Sequence, residues 1–111
     1  DTVNGKALME FGMTALTKPR DCGSMTELRV QIDAIDVMLL ELLAKRSDYI
    51  DRAVELKRIE GLPARTVDRV AAVLANVKSK AVEVGLDEGL AETLWTELIE
   101  WAIQREVKHL G

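Results

Sequence analysis

The chemistry that this sequence offers rests on charged side chains set among apolar ones. Arg46 falls on the apolar line Leu28, Ile32, Ile35, Leu39, Leu42, Arg46, Tyr49, Ala53, Leu56. A charge in a buried seam needs a partner. Lys57 follows eleven residues later, about 20° away around a helix. The two share a face some three turns apart, and their long side chains can converge on a ligand between them. Arg29 precedes Arg46 by seventeen residues and points about 100° away. It cannot easily serve the same pocket in the same subunit, but in an antiparallel dimer it can serve the partner's. Arg69 opens a later helix, with Arg65 just before it. Glu106 continues a third apolar line, four residues after Ala102. A carboxylate there is expected to be partly buried, which favours its neutral form. Cations and one carboxylate on apolar walls suit the binding of a small anion.

Three helices must position these groups. The first is expected over residues 25–60, opened by the capping box Ser24-x-x-Glu27 and stopped by Gly61-Leu62-Pro63. Its apolar steps of four and three are those of a helix packed on other helices. At the usual rise it would span roughly 54 Å, whereas a compact chain of this size is only about 26 Å across. The helix should therefore outrun its own subunit, and a second copy is the simplest cover for the overhang. Thr66 is expected to cap a second helix, with Asp68 in its first turn and the stripe Val70, Leu74, Val77, Ala81, Val84. Gly85 ends that helix. Asp87 should cap a third, lined by Ala91, Leu94, Trp95, Leu98, Ile99, Ala102 and Ile103. No stretch alternates as a strand does.

The chain has 111 residues, which suggests one domain. Residues 1–24 read as a leader, flexible or in part vector-derived, with Met13 a candidate native start and a short helix conceivable over residues 6–16. Residues 25–111 read as the helical domain. Lys and Arg number 15 against 19 Asp and Glu, which argues against a nucleic-acid protein. Aromatics are 4%, so aliphatic side chains must fill the core. Cys22 is the only cysteine. It allows no intrachain disulfide and fits a reducing compartment. No apolar run approaches a membrane span of ~20 residues, and the first residues lack the order of a secretory signal. The expected location is cytoplasmic.

Each charge also has a plainer reading. An arginine on a helix seam commonly snorkels or forms an ion pair. Lys57 and Glu106, near helix ends, would ordinarily be solvated, and Arg69 beside Asp68 would be surface charge. His109 in a last turn favours the helix dipole. Trp95 and Trp101 are better core and interface fillers than ligand platforms. The sequence carries no metal-ligand cluster, glycine-rich phosphate loop or nucleophile–histidine pairing, so neither metal nor cofactor is expected.

The combination is more specific than its parts. The run LRVQIDAIDVMLLELLAKR, then Lys57, GLPAR, Arg69, and GLD before the last helix resembles the all-helical chorismate mutase family over residues 25 to about 110. Within it, PRDC ahead of the first helix, Asp48-Tyr49, RVAAVL and the spacing Trp101-x-Ile103-x(4)-Lys108 are similar to the isochorismate pyruvate lyase branch. The resemblance implies an all-α intertwined homodimer, three helices per subunit with one long. It implies a dicarboxylate substrate and no cofactor. Arg46 would hold one substrate carboxylate, and Arg29 would reach the partner's site for the other. Lys57 would donate to the ether oxygen, and Arg69 would add positive charge at the mouth.

Three departures bear on activity. Val70 stands where many mutases carry a Glu that accepts the ring hydroxyl, Ala102 replaces a Ser, and Glu106 replaces a Gln that donates to the ether oxygen. Only a protonated Glu106 could donate there. The implied reaction is chorismate to prephenate. Isochorismate to salicylate and pyruvate is the alternative that Val70 favours. A non-catalytic helical dimerisation or regulatory module is a third reading.

Overall fold

The computed structural model describes residues 16–110. The helix considered for residues 6–16, and most of the leader assigned to residues 1–24, lie outside them. After a 3-10 turn at Pro19–Asp21, three helices follow: α1 Met25–Glu60, α2 Val67–Val84 and α3 Glu88–Leu110. No strand occurs among the described residues. The chain divides within α1, between Lys45 and Arg46.

In the first unit, α1 starts as its sequence dictates. The Glu27 amide donates to Ser24 Oγ at 3.1 Å. The return arm of the box reaches one residue further back than expected, from the Gly23 amide to Glu27 Oε1 at 3.4 Å. Upstream, the Thr17 amide donates to Gln31 Oε1 at 2.9 Å and ties the preceding segment to the helix. Among the described residues, the apolar seam of this half stays open. Ile32, Ile35, Leu39 and Leu42 are all exposed.

The second unit holds the core. α2 and α3 pack on each other, and Val54, Ala81, Ala91, Ile99, Ala102 and Ile103 are buried. These side chains are small or aliphatic, as the low aromatic content requires. The seam is only partly covered here as well. Ala53 is half-buried, but Tyr49 remains 72% exposed. α1 and α2 both end through left-handed glycines, Gly61 (φ 69°) and Gly85 (φ 78°), where a side chain would be strained. The Leu62 amide then closes on the Lys57 carbonyl (2.9 Å), and the Leu86 amide on the Ala81 carbonyl (2.8 Å). These are the long bonds of the Schellman motif. Asp87 caps α3 as expected, its Oδ2 accepting from the Leu90 amide at 2.8 Å. Thr66 does not cap α2. It occupies the N-cap position with extended backbone, but its side chain makes no capping bond.

Candidate active site

α1, α2, α3 and the α1–α2 loop of the second unit enclose a cavity of about 240 Å³. Arg46 and Lys57 enter it from α1, Arg69 and Val70 from α2, and Ala102 and Glu106 from α3. The helical period accounts for this convergence. Arg46, Ile50, Ala53 and Lys57 share one face of α1, spaced at four, three and four residues. Ile99, Ala102, Ile103 and Glu106 do the same on α3. Apart from Arg29, every residue expected at the site is therefore in one cavity. Arg29 is exposed on the first half of α1 and is not among the lining residues.

At the cavity wall, Lys57 Nζ donates to Glu106 Oε1 at 2.6 Å and to the Ala64 carbonyl at 2.6 Å. The solvated reading of these two residues is therefore incorrect. Glu106 is 4% exposed and Lys57 is half-buried, because α3 brings Glu106 inward on the same face as buried Ala102 and Ile103. Removing one partner of such a pair strands a buried charge, at a cost of about 3–5 kcal/mol. An ammonium has three donors. Two are occupied, which leaves one for a ligand.

Arg46 is half-buried and Arg69 exposed. Neither makes a hydrogen bond or ion pair to another described residue. The exposure of Arg69 fits the surface-charge reading, while its place on the cavity lining fits the ligand-binding one. With Glu106 the only carboxylate on the wall, the lining carries a net charge of +2 in a chain of net charge −4. The remaining wall is aliphatic: Ile50, Ala53, Val70, Val73, Ile99, Ala102 and Ile103. A low-polarity wall strengthens the attraction of a cation for an anion. The arrangement can hold a small dianion against an apolar surface and donate a hydrogen bond to it from Lys57. It presents no nucleophile beside a base. No group of His, Cys, Asp and Glu suited to a metal occurs among the described residues.

A larger cleft, about 490 Å³, lies between α1 and α3, but its charges are mostly occupied by one another. Arg105 Nε and Nη2 donate to Asp51 at 2.6 and 3.0 Å, and Arg105 also stacks on Trp101 at 5.3 Å. Arg52 pairs with Glu55, and Arg58 donates to the His109 carbonyl. The Arg105 hydrogen bond holds the Asp51 carboxyl below its ordinary value, and the same bond raises that of Arg105.

The sequence did not single out Ala64 and Thr66 as part of the site. Ala64 contributes a main-chain carbonyl, which no side chain signals. Thr66 was assigned to a cap that does not form. Ile50, Val73, Ile99 and Ile103 lie at helical spacing from the charged residues, so their places were deducible from period alone.

Known proteins resemble this chain over most of its length. The model of "Chorismate mutase type II" matches residues 28–107. Isochorismate pyruvate lyase of Pseudomonas aeruginosa is 36% identical over 92 residues, 82% of this chain and 89% of that protein. The 4-amino-4-deoxychorismate mutase of Streptomyces pristinaespiralis is 34% identical over 79% of this chain and 64% of its own. A T-protein of Enterobacter agglomerans is 40% identical over 61% of this chain, which corresponds to only 18% of that protein. With the match to the family model extending over most of its length, this chain belongs to the chorismate mutase type II family of enzymes.

Proposed function

We propose that this chain catalyses the pericyclic rearrangement of chorismate to prephenate in the cavity around Arg46, Lys57 and Arg69. The observation that carries this reading is the pair of guanidinium groups with no partner among the described residues, beside an ammonium with one donor left, on an aliphatic wall. Chorismate is a dicarboxylate with an enolpyruvyl ether. In the rearrangement the ether C–O bond breaks as a C–C bond forms, with no nucleophile, metal or organic cofactor. The protein must hold the folded conformer and stabilise the negative charge that grows on the ether oxygen. Arg46 holds one carboxylate through its planar fork, Lys57 donates its remaining N–H to the ether oxygen, and Arg69 adds charge at the mouth. Val70 and Ala102 shape the wall against the ring.

Arg29 supplies the second carboxylate contact to the site of a partner subunit. The exposed seam of α1 supports this homodimer, since Ile32, Ile35, Leu39 and Leu42 would otherwise face water. No helix among the described residues is long and apolar enough to cross a membrane, and we place the enzyme in the cytoplasm.

A second reading has its own support. Val70 lines the cavity and cannot accept a hydrogen bond from a ring hydroxyl. The Pseudomonas aeruginosa relative is an isochorismate pyruvate lyase. In that reaction the same C–O bond breaks while a ring hydrogen moves to the departing enolpyruvyl carbon, giving salicylate and pyruvate. The same cations serve both reactions. Two assays on one purified sample decide the matter: chorismate followed to prephenate, and isochorismate to salicylate. Faster turnover of chorismate supports the mutase reading, and faster turnover of isochorismate makes the protein a lyase. Turnover of neither leaves a non-catalytic dimer and sinks both.

A further inference from the structure

The α1–α2 loop contributes Ala64 and Thr66 to the cavity, and the residue between them is fastened to a different helix. Arg65 Nη2 lies 2.9 and 2.8 Å from the two carboxylate oxygens of Glu100 on α3. Gln104, one turn along α3, donates from Nε2 to Glu100 Oε2 at 3.0 Å and fixes the carboxylate on its own helix. The Arg65 hydrogen bond, helped by Gln104, holds the Glu100 carboxyl below its ordinary value of 4.5, as expected of a carboxylate that accepts several bonds.

The loop is anchored at two other points, both to α1: the Leu62 amide on the Lys57 carbonyl and the Ala64 carbonyl on Lys57 Nζ. Both anchors belong to one residue of α1, and they reach α3 only indirectly, through the Lys57 ammonium that also bonds Glu106. Arg65–Glu100 is the direct bond from the loop to α3. It leaves the loop one residue after Ala64 and one before Thr66, so both lining residues follow it.

We propose that Arg65, Glu100 and Gln104 form a positioning clamp that sets the width of the substrate cavity by holding the α1–α2 loop against α3. None of the three lines the cavity, so they act on the ligand through Ala64, Thr66 and the Lys57 ammonium bonded to the Ala64 carbonyl. The clamp is poorly placed to serve stability. Arg65 and Glu100 side chains are 48% and 47% exposed, and exposed ion pairs contribute little to folding. A pair with little effect on stability that adjoins two cavity residues is better explained by what it positions.

The inference rests on the pocket being a substrate site, and the test separates the two ideas. Arg65→Glu, Glu100→Arg and the double charge swap are compared with the parent. Kinetics use whichever of chorismate and isochorismate the parent turns over. Hydrogen exchange of the 61–66 backbone is read by mass spectrometry. Each single variant is expected to raise KM about threefold with kcat and the thermal midpoint little changed, as loss of uniform binding requires. Loop exchange should quicken in both. The swap should restore KM and exchange together, which loss of bulk or charge alone would not do. Parental KM in both single variants overturns the clamp, even if exchange quickens. So does a KM defect that the swap leaves uncorrected. If the parent turns over neither substrate, the functional reading fails by itself. The clamp is then judged on exchange alone, and unchanged exchange in the single variants overturns it.

Discussion

At the scale of single residues, the pairing of Lys57 with Glu106 governs what the site can donate to a ligand. Glu106 accepts from Lys57 at 2.6 Å. An ionised carboxylate has nothing to donate and repels a developing oxyanion, while its protonated form can donate. Glu106→Gln carries an amide donor at every pH. It is expected to raise kcat, by about tenfold if one donor to the developing oxyanion is gained. An unchanged kcat in the variant would remove Glu106 from the reaction. Much of this neighbourhood was legible from residue types and numbering. Arg46, Lys57, Arg69, Val70, Ala102 and Glu106 meet because each sits on a helix with a clear period. The Lys57–Ala64 bond was not legible, since the acceptor is a peptide carbonyl in a loop whose path no periodicity defines.

At the scale of elements, α1 and α3 are joined by side chains that titrate. Arg105 holds the Asp51 carboxyl below its ordinary value of 3.8. A carboxylate with a lowered folded value contributes stability at pH above its unfolded value, about 3.9, and loses it as pH falls through the folded one. Arg105→Ala should thus be less stable than the parent at neutral pH, and the difference should narrow below about pH 4. Denaturant unfolding at neutral pH and near pH 3 measures it. A gap that stays constant with pH would assign the effect to the stacking of Arg105 on Trp101, which does not titrate. The helix bounds themselves were readable because Ser24, Gly61, Gly85 and Asp87 have strong local preferences. Thr66 makes no capping bond although its residue type favours one; it lines the cavity instead, next to the clamp residue Arg65, a placement that local preference does not encode.

At the scale of the whole molecule, the proposed homodimer is tested through Arg29, which does not line the cavity. If Arg29 completes the partner's site, two inactive variants should rescue each other. In a mixed dimer of Arg29→Ala and Arg46→Ala chains, one site carries both substitutions and the other carries neither. Co-refolding equal amounts should restore about a quarter of parental activity under random pairing, from two preparations that are each nearly inactive alone. No recovery would place Arg29 outside the site. The seam period was plain in the sequence, whereas its cover was not, because one chain's pattern states what must be buried and not what buries it. The stretch from Lys57 to Arg69 has a consequence of another kind. Surface loops ordinarily absorb insertions and deletions at little cost. Here Leu62, Ala64 and Arg65 are each bonded to a different atom of the surrounding helices. One added residue would leave at least one of those bonds out of reach and shift Arg69 along its helix. The connection behaves as a ruler of fixed length, and this stretch of exposed chain is closed to the length variation by which related proteins commonly diverge.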